Sequence, residues 1–437
     1  MGEYLMSNRH GLKSTTCWFV MLSMMGCLSL SGVAAEQAKN GGSAILKPNA
    51  TVVIAGDSIT EQKIYSRFIE AYLLACRPDL KLKVIQSGWI GETAPRFLAR
   101  IDNDITPFNP DLVTICYGMN DGRYTEYAEY IGNAYATAMR GIVQKLKDKG
   151  ITAIVGTPGC VDSDTFKKIS ANVYNENLKT LGEIDRKIAG DYSMPFADLH
   201  SAMLETMVKA KAAYGSAYYI SKDGVHPANN GHLVMAYVFL KAMGLDGDIG
   251  TLAVDFSGKA EGDSAHKILS FQDGKLEVES SRYPFCFSGD DKTPDGTRSI
   301  LPYLPFNRDL NRFMLIVKNL PSDKAEILWG TDKKTFTKEQ LETGINLADE
   351  FANNPFAQKF GELLDFLGDK QKYETTMIKG LISNLAYAVI VAKDDTSSLE
   401  SIETFKKKLL QIESDYQKKA SSFVVPFKHR IDITPIK

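Results

Sequence analysis

Cysteine, histidine and charge of one sign are all scarce in this chain. Its 51 lysines and arginines nearly match its 53 aspartates and glutamates, and the resulting net charge of −2 supplies no overall field for a polyanion, so nucleic acid is a poor partner. Six cysteines are spread through 437 residues without a single CxxC pair, which gives no support to a zinc site. The P-loop, the dinucleotide-binding G-x-G-x-x-G, the zinc-binding H-E-x-x-H and the G-x-S-x-G elbow are all absent, so no cofactor is expected. No internal repeat occurs, and no apolar run reaches the ~20 residues that span a bilayer. What remains, 44% hydrophobic and 24% charged, is the balance of a globular protein with room for two or three domains.

The first 35 residues carry an address. Arg9 and Lys13 precede an apolar stretch from Cys17 to about Leu30, and Val33-Ala34-Ala35 offers small residues for cleavage before Glu36. Residues 1–35 therefore read as an export signal and 36–48 as a linker, placing the protein in the periplasm or outside the cell, with no stable membrane insertion after cleavage. Two alternatives compete: an uncleaved anchor, which Ser23, Gly26, Ser29 and Ser31 interrupt, and a lipid attached at Cys27. Cleavage would leave Cys76, Cys116, Cys160 and Cys286, for which free buried thiols and disulfides are both open.

Between residues 49 and 247, short apolar runs alternate with segments of helical period. Val52–Ala55, Leu82–Ile85, Leu112–Cys116, Ile151–Val155 and Pro195–Leu199 read as strands, and their near-continuous apolarity suits parallel strands covered on both faces. Ile131, Ala134, Ala138, Met139, Ile142 and Leu146 share one helical face. The pattern implies a flavodoxin-like three-layer α/β/α sandwich with a five-stranded parallel sheet, and a site at the carboxyl ends of the strands. A mixed β and helical extension follows, β-rich over 248–335 and helical over 336–437. A hairpin is expected around Asp273-Gly274, further strands at Phe313–Val317 and Glu326–Trp329, and an amphipathic helix through Ile402, Phe405, Leu409, Ile412 and Tyr416.

Three segments at strand ends carry chemistry. In Gly56-Asp57-Ser58-Ile59-Thr60, a serine at a strand-to-helix turn either caps the helix or presents a nucleophile. In Gly118-Met119-Asn120-Asp121, the Asn120 amide suits a carbonyl oxygen that becomes negative, although the same residues make turns. In Asp223-Gly224-Val225-His226-Pro227, His226 can accept and return a proton if Asp223 holds its other nitrogen. His232, by contrast, reads as structural, and His200 as a residue where a strand leads into a helix. A fourth segment, Gly88-Trp89-Ile90-Gly91-Glu92-Thr93, brings backbone N–H groups to the same edge.

In this order the segments resemble the SGNH, or GDSL, hydrolase family, over about residues 51 to 245. The resemblance implies Ser58 as nucleophile, Asp223 and His226 as its triad partners, and an oxyanion hole from the Ser58 N–H, the Gly91 N–H and the Asn120 amide. The second block departs from the family's Asn-x-Gly-x-x-Gly-Asp-Thr, reading Gln86-Ser87-Gly88-Trp89-Ile90-Gly91-Glu92-Thr93 here, with Gly91 at the place of the family's second glycine. The implied activity is that of an exported serine esterase acting on a small-molecule or glycan ester, first of all a carbohydrate O-acetyl ester. The alternatives are a lipase or lysophospholipase, and a non-catalytic glycan-binding protein on the same fold. Trp89, Tyr117, Tyr283 and Trp329 are the aromatic residues available to stack on sugars.

Overall fold

The computed structural model describes residues 45–437, so the leader and most of the linker lie outside the described residues. Five parallel strands, β1 (Thr51–Gly56), β2 (Lys83–Gly88), β3 (Leu112–Cys116), β4 (Thr152–Gly156) and β5 (Phe196–Ala197), form one sheet in the order β2-β1-β3-β4-β5. Alternate residues of β1 enter different cores, Val52 and Ile54 on one face and Val53 and Ala55 on the other, which is why the strand reads as an unbroken apolar run. Helices α1 (Ser58–Glu61), α2 (Tyr65–Ala75), α3 (Ala94–Arg100), α4 (Glu129–Asp148), α5 (Ala171–Tyr192), α6 (Leu199–Tyr214) and α7 (Asn229–Ala242) connect the strands and follow the last of them. The sandwich is the one the apolar pattern implies.

β5 is shorter than the Pro195–Leu199 run. The Asp198 side chain accepts a hydrogen bond from the Ser201 N–H and caps α6, so Leu199 and His200 are already helical.

The second half is built from two further sheets. β6 (Asp248–Asp255) pairs with β7 (Lys259–Glu261) and, in parallel, with β10 (Arg312–Lys318), which also holds the short β13 (Ile345–Asn346). The other sheet runs β12 (Asp332–Thr337), β11 (Lys324–Trp329), β14 (Phe427–Ile436), β9 (Lys275–Ser280) and β8 (His266–Gln272). The β8–β9 hairpin turns at Asp273-Gly274, both with positive φ, as a two-residue turn between twisted strands requires. Two strands, β13 and β14, fall within the 336–437 region expected to be helical, and β14, the end of the chain, pairs between β11 and β9.

Helices α8 (Ala357–Thr375), α9 (Ser383–Val391) and α10 (Thr396–Ser421) return to the parallel sheet, with a π-helical turn at Thr376–Ile382 between the first two. They cover its edge. β2 has no neighbour strand on its outer side, and its unpaired backbone groups are met by side chains: Lys370 donates to the Val84 carbonyl (2.7 Å), Glu374 accepts from the Gln86 N–H (2.9 Å), and Gln417 bonds the Val84 N–H and the Leu82 carbonyl (both 3.4 Å). An edge left bare would recruit another strand. Lys370, fully buried, also pairs with Glu70 (2.8 Å) and Glu374. Burial pushes the Glu374 carboxyl well above its ordinary range, against the pull of Lys370. The buried face of α10 is accordingly Leu409, Glu413, Gln417 and Ala420, not the expected apolar stripe, and Phe405 and Ile412 are left partly exposed.

All four cysteines of the described residues are buried free thiols. Of the aromatics offered for sugar stacking, Tyr117, Tyr283 and Trp329 are buried in the cores and unavailable. No helix among the described residues is long and apolar enough to cross a membrane.

Candidate active site

The order β2-β1-β3 places the chain's change of direction beside β1, and the loops leaving β1 and β3 straddle it. Ser58 begins α1 directly beyond β1. Asp57 caps that helix by accepting from the Ile59 N–H (2.9 Å), so the cap is the aspartate and the serine hydroxyl is left free. The Ser58 Oγ lies 2.9 Å from His226 Nε2, and His226 Nδ1 lies 2.7 Å from Asp223 Oδ2. The other Asp223 oxygen accepts from the backbone N–H groups of Val225 (2.9 Å) and His226 (2.8 Å).

Partial burial tends to raise the Asp223 carboxyl, but these bonds outweigh it and hold the group below the ordinary carboxylate range. An ionised carboxylate only accepts, so Nδ1 carries the imidazole proton and Nε2 is free to accept from the serine hydroxyl. The segment is braced from below, since the Asp162 N–H donates to the Gly224 carbonyl (2.9 Å) and the Thr165 hydroxyl to the Ser221 carbonyl (2.6 Å).

Asn120, beyond β3, donates its amide to the Glu92 carbonyl (3.0 Å) and, at 3.4 Å, to Asp57 Oδ2, while its oxygen accepts from the Tyr124 hydroxyl (3.2 Å). The Glu92 carbonyl, which can only accept, fixes which side of the amide is nitrogen. Arg123 and Tyr124 are consecutive non-glycine residues at φ +57° and +56°, a costly backbone state that turns the tyrosine back toward Asn120.

The second block divides its two glycines by task. A Cβ on Gly88 would lie 2.3 Å from the Glu61 nitrogen, so this glycine lets β2 approach α1. Gly91 has φ +66° and open space around it, as suits the tip of a turn. Neither the Gly91 nor the Ser58 N–H meets a protein acceptor among the described residues. The glutamate standing where the family has aspartate is held by Arg100 (2.7 Å to each oxygen) and by the Tyr117 hydroxyl (2.6 Å). Trp89 is half-buried, with Arg100 and Lys379 each about 5 Å from its ring centre, so cations already occupy its faces.

Three residues were missed as supports. In the sequence Asp57 and Asp121 stand only as members of the Gly56–Thr60 and Gly118–Asp121 segments. Burial first, and then neighbouring carboxylates opposed by backbone hydrogen bonds, raise Asp57 to about 7 and Asp121 to about 6. Asp121 ties two loops together by accepting from the Ala94 (2.9 Å) and Gly118 (3.0 Å) N–H groups. Tyr124 gave no signal at all, because left-handed φ in a tyrosine leaves no mark in sequence. His232 is buried, stacked on Tyr65 and bonded to Gln62 (2.9 Å), and burial lowers it to about 3. His200 is likewise buried, in α6.

Residues 54–234 match the model of the GDSL-like lipase/acylhydrolase family. This part of the chain is similar to that family. An acetylxylan esterase of Geobacillus stearothermophilus is 27% identical over 191 residues, 42% of this chain and 81% of the relative. A gut microbial diltiazem-metabolizing enzyme has a similar structure over 89% of this chain and 98% of its own, with a TM-score of 0.68 and 21% identity. That likeness shows the fold alone, and it takes in the extension as well as the GDSL-like acylhydrolase domain. The chain is an ester-hydrolysing enzyme.

A cavity of about 910 Å³ lies among residues of the second half, including Phe287, Arg298, Asp332 and Glu350, and contains none of Ser58, Asp223 or His226.

Proposed function

We propose that the protein hydrolyses O-acyl esters through a Ser58–His226–Asp223 triad and a covalent acyl-enzyme. The observation that carries this reading is the continuous relay of 2.9 Å and 2.7 Å from the Ser58 hydroxyl to the Asp223 carboxylate. In the first step Ser58 Oγ bonds to the acyl carbon while its proton passes to His226 Nε2, and Asp223 stabilises the imidazolium. The C–O bond to the leaving alcohol then breaks, and the alcohol departs with that proton. Water, deprotonated by the same imidazole, attacks the acyl carbon and releases the carboxylic acid, restoring Ser58.

The negative oxygen of each tetrahedral intermediate is assigned to the Ser58 N–H, the Gly91 N–H and the Asn120 amide. The backbone donors carry no competing protein bond, and substrate replaces the longer of the two amide contacts, the one at 3.4 Å to Asp57.

A carbohydrate O-acetyl ester is the substrate class proposed, supported by the kinship with an acetylxylan esterase. Export is proposed on the leader of residues 1–35, and N-terminal sequencing of secreted protein tests it. An ester panel with wild type and Ser58→Ala tests the rest. Activity that falls from acetyl to long acyl chains and vanishes in the variant supports the proposal; activity that rises with chain length points to a lipase, and none at all to a binding protein.

A further inference from the structure

We propose that Lys379, in the C-terminal helices outside the GDSL-like domain, is a positioning residue for the oxyanion loop: it fixes Glu61, and Glu61 fixes the Ile90 N–H beside Gly91. This rests on the serine-esterase reading and concerns what aims one of its donors.

The loop needs such a device. Its base is pinned where the Trp89 N–H donates to the Gly56 carbonyl (3.0 Å), and it closes where the Glu92 N–H donates to the Trp89 carbonyl (3.1 Å). The tip between them has no side chain to anchor it, because Ile90 is 64% exposed and Gly91 has none. The tip is held instead by the Ile90 N–H, which donates to Glu61 Oε2.

Glu61 ends α1, three residues after Ser58, and a glutamate at such a rim would ordinarily rotate freely. Lys379 removes that freedom. Its ammonium lies 2.8 and 2.9 Å from the two carboxylate oxygens, with both side chains only about a fifth exposed, and it sits 5.3 Å from the Trp89 ring centre. The wider π-helical turn of Thr376–Ile382 buries Met377, Ile378 and Ile382 against the sandwich while sending Lys379 to the rim. Donors to an oxyanion act only when pre-aimed, since small displacements cost rate without costing binding. The extension is thus a working part of the catalytic rim.

The experiment uses the full chain with p-nitrophenyl acetate as substrate and methylboronic acid as a tetrahedral mimic. Lys379→Ala lowers kcat about tenfold with KM changed less than about twofold, and weakens boronate inhibition by a similar factor. Lys379→Arg, which keeps the charge, recovers activity to within about threefold of wild type. Glu61→Ala gives a loss like that of Lys379→Ala, and the double variant is hardly worse, because both break one chain of contacts. Should Lys379→Ala fail to fold, Lys379→Met, which keeps the aliphatic stem on Trp89, replaces it. A folded Lys379 variant with unchanged kcat and boronate affinity overturns the proposal, as does a loss confined to KM. Activity surviving in Ser58→Ala overturns instead the reading on which it rests.

Discussion

The two halves of the molecule bury polar groups for different reasons. In the parallel sandwich one group of buried or half-buried polar residues lies at strand ends, where Asn120 bonds Asp57 and the Glu92 carbonyl, and Asp121 ties together the loops beyond β2 and β3. In the C-terminal helices they lie mid-helix, where Lys370, Glu374 and Gln417 satisfy the open edge of β2. The first set is a site and the second a seam. Buried polarity by itself does not distinguish the two; what each group bonds to does.

The sharpest test of this contrast removes the centre of the first set. Ser58→Ala is expected to cut kcat on p-nitrophenyl acetate by roughly a thousandfold or more, with the unfolding midpoint in denaturant little changed. The seam should respond the opposite way. Lys370→Met leaves three buried carboxyl groups, Glu70, Glu374 and Glu413, without their cation and is expected to cost about 3 to 5 kcal/mol in equilibrium unfolding, while the activity of the molecules still folded stays close to wild type. Equal damage to both quantities by either substitution would dissolve the distinction.

Asn120→Ala removes a proposed oxyanion donor and should lower kcat by about a hundredfold, read by single-turnover acylation. Tyr124→Phe removes the hydroxyl bond to the Asn120 oxygen and leaves the amide held on its nitrogen side alone, and a smaller fall, a few-fold in kcat, is expected.

The subtlest effect is on pH. Asp57 and Asp121, raised to about 7 and about 6, keep protons in the folded protein that the unfolded chain has already lost near its ordinary carboxylate range. The folded state therefore binds more protons between about pH 4 and pH 7, and this contribution to stability is lost as pH rises through that window. Asp57→Asn keeps an oxygen for the Ile59 N–H and removes one titration, so the thermal midpoint should fall less steeply over the same range.

Much of the sandwich was legible because its strands are covered on both faces and its loops begin at glycines and polar residues. The strand at 427–436 was not, since a lone alternating segment after a long helix declares no partner. The face of α10 misled for a related reason: Phe405 and Ile412 mark an apolar stripe, but the helix turns Gln417 to the backbone N–H of Val84 and carbonyl of Leu82, and Glu413 to the buried Lys370 (3.8 Å). Tyr124 and Lys379 lie beyond reading from spacing, one because its backbone state is set by the loop around it, the other because it meets Glu61 across 318 residues.

The sequence alone determined the alternation of strand and helix and the side chains available at the strand ends, because periodicity and residue chemistry are local properties. Only the tertiary structure decided that Asp57 caps the helix and leaves the Ser58 hydroxyl free, that the ring of His226 reaches it, and that a distant lysine bears on the same rim. Hydrogen bonds act over about 3 Å, and which groups come that close depends on how the whole chain packs.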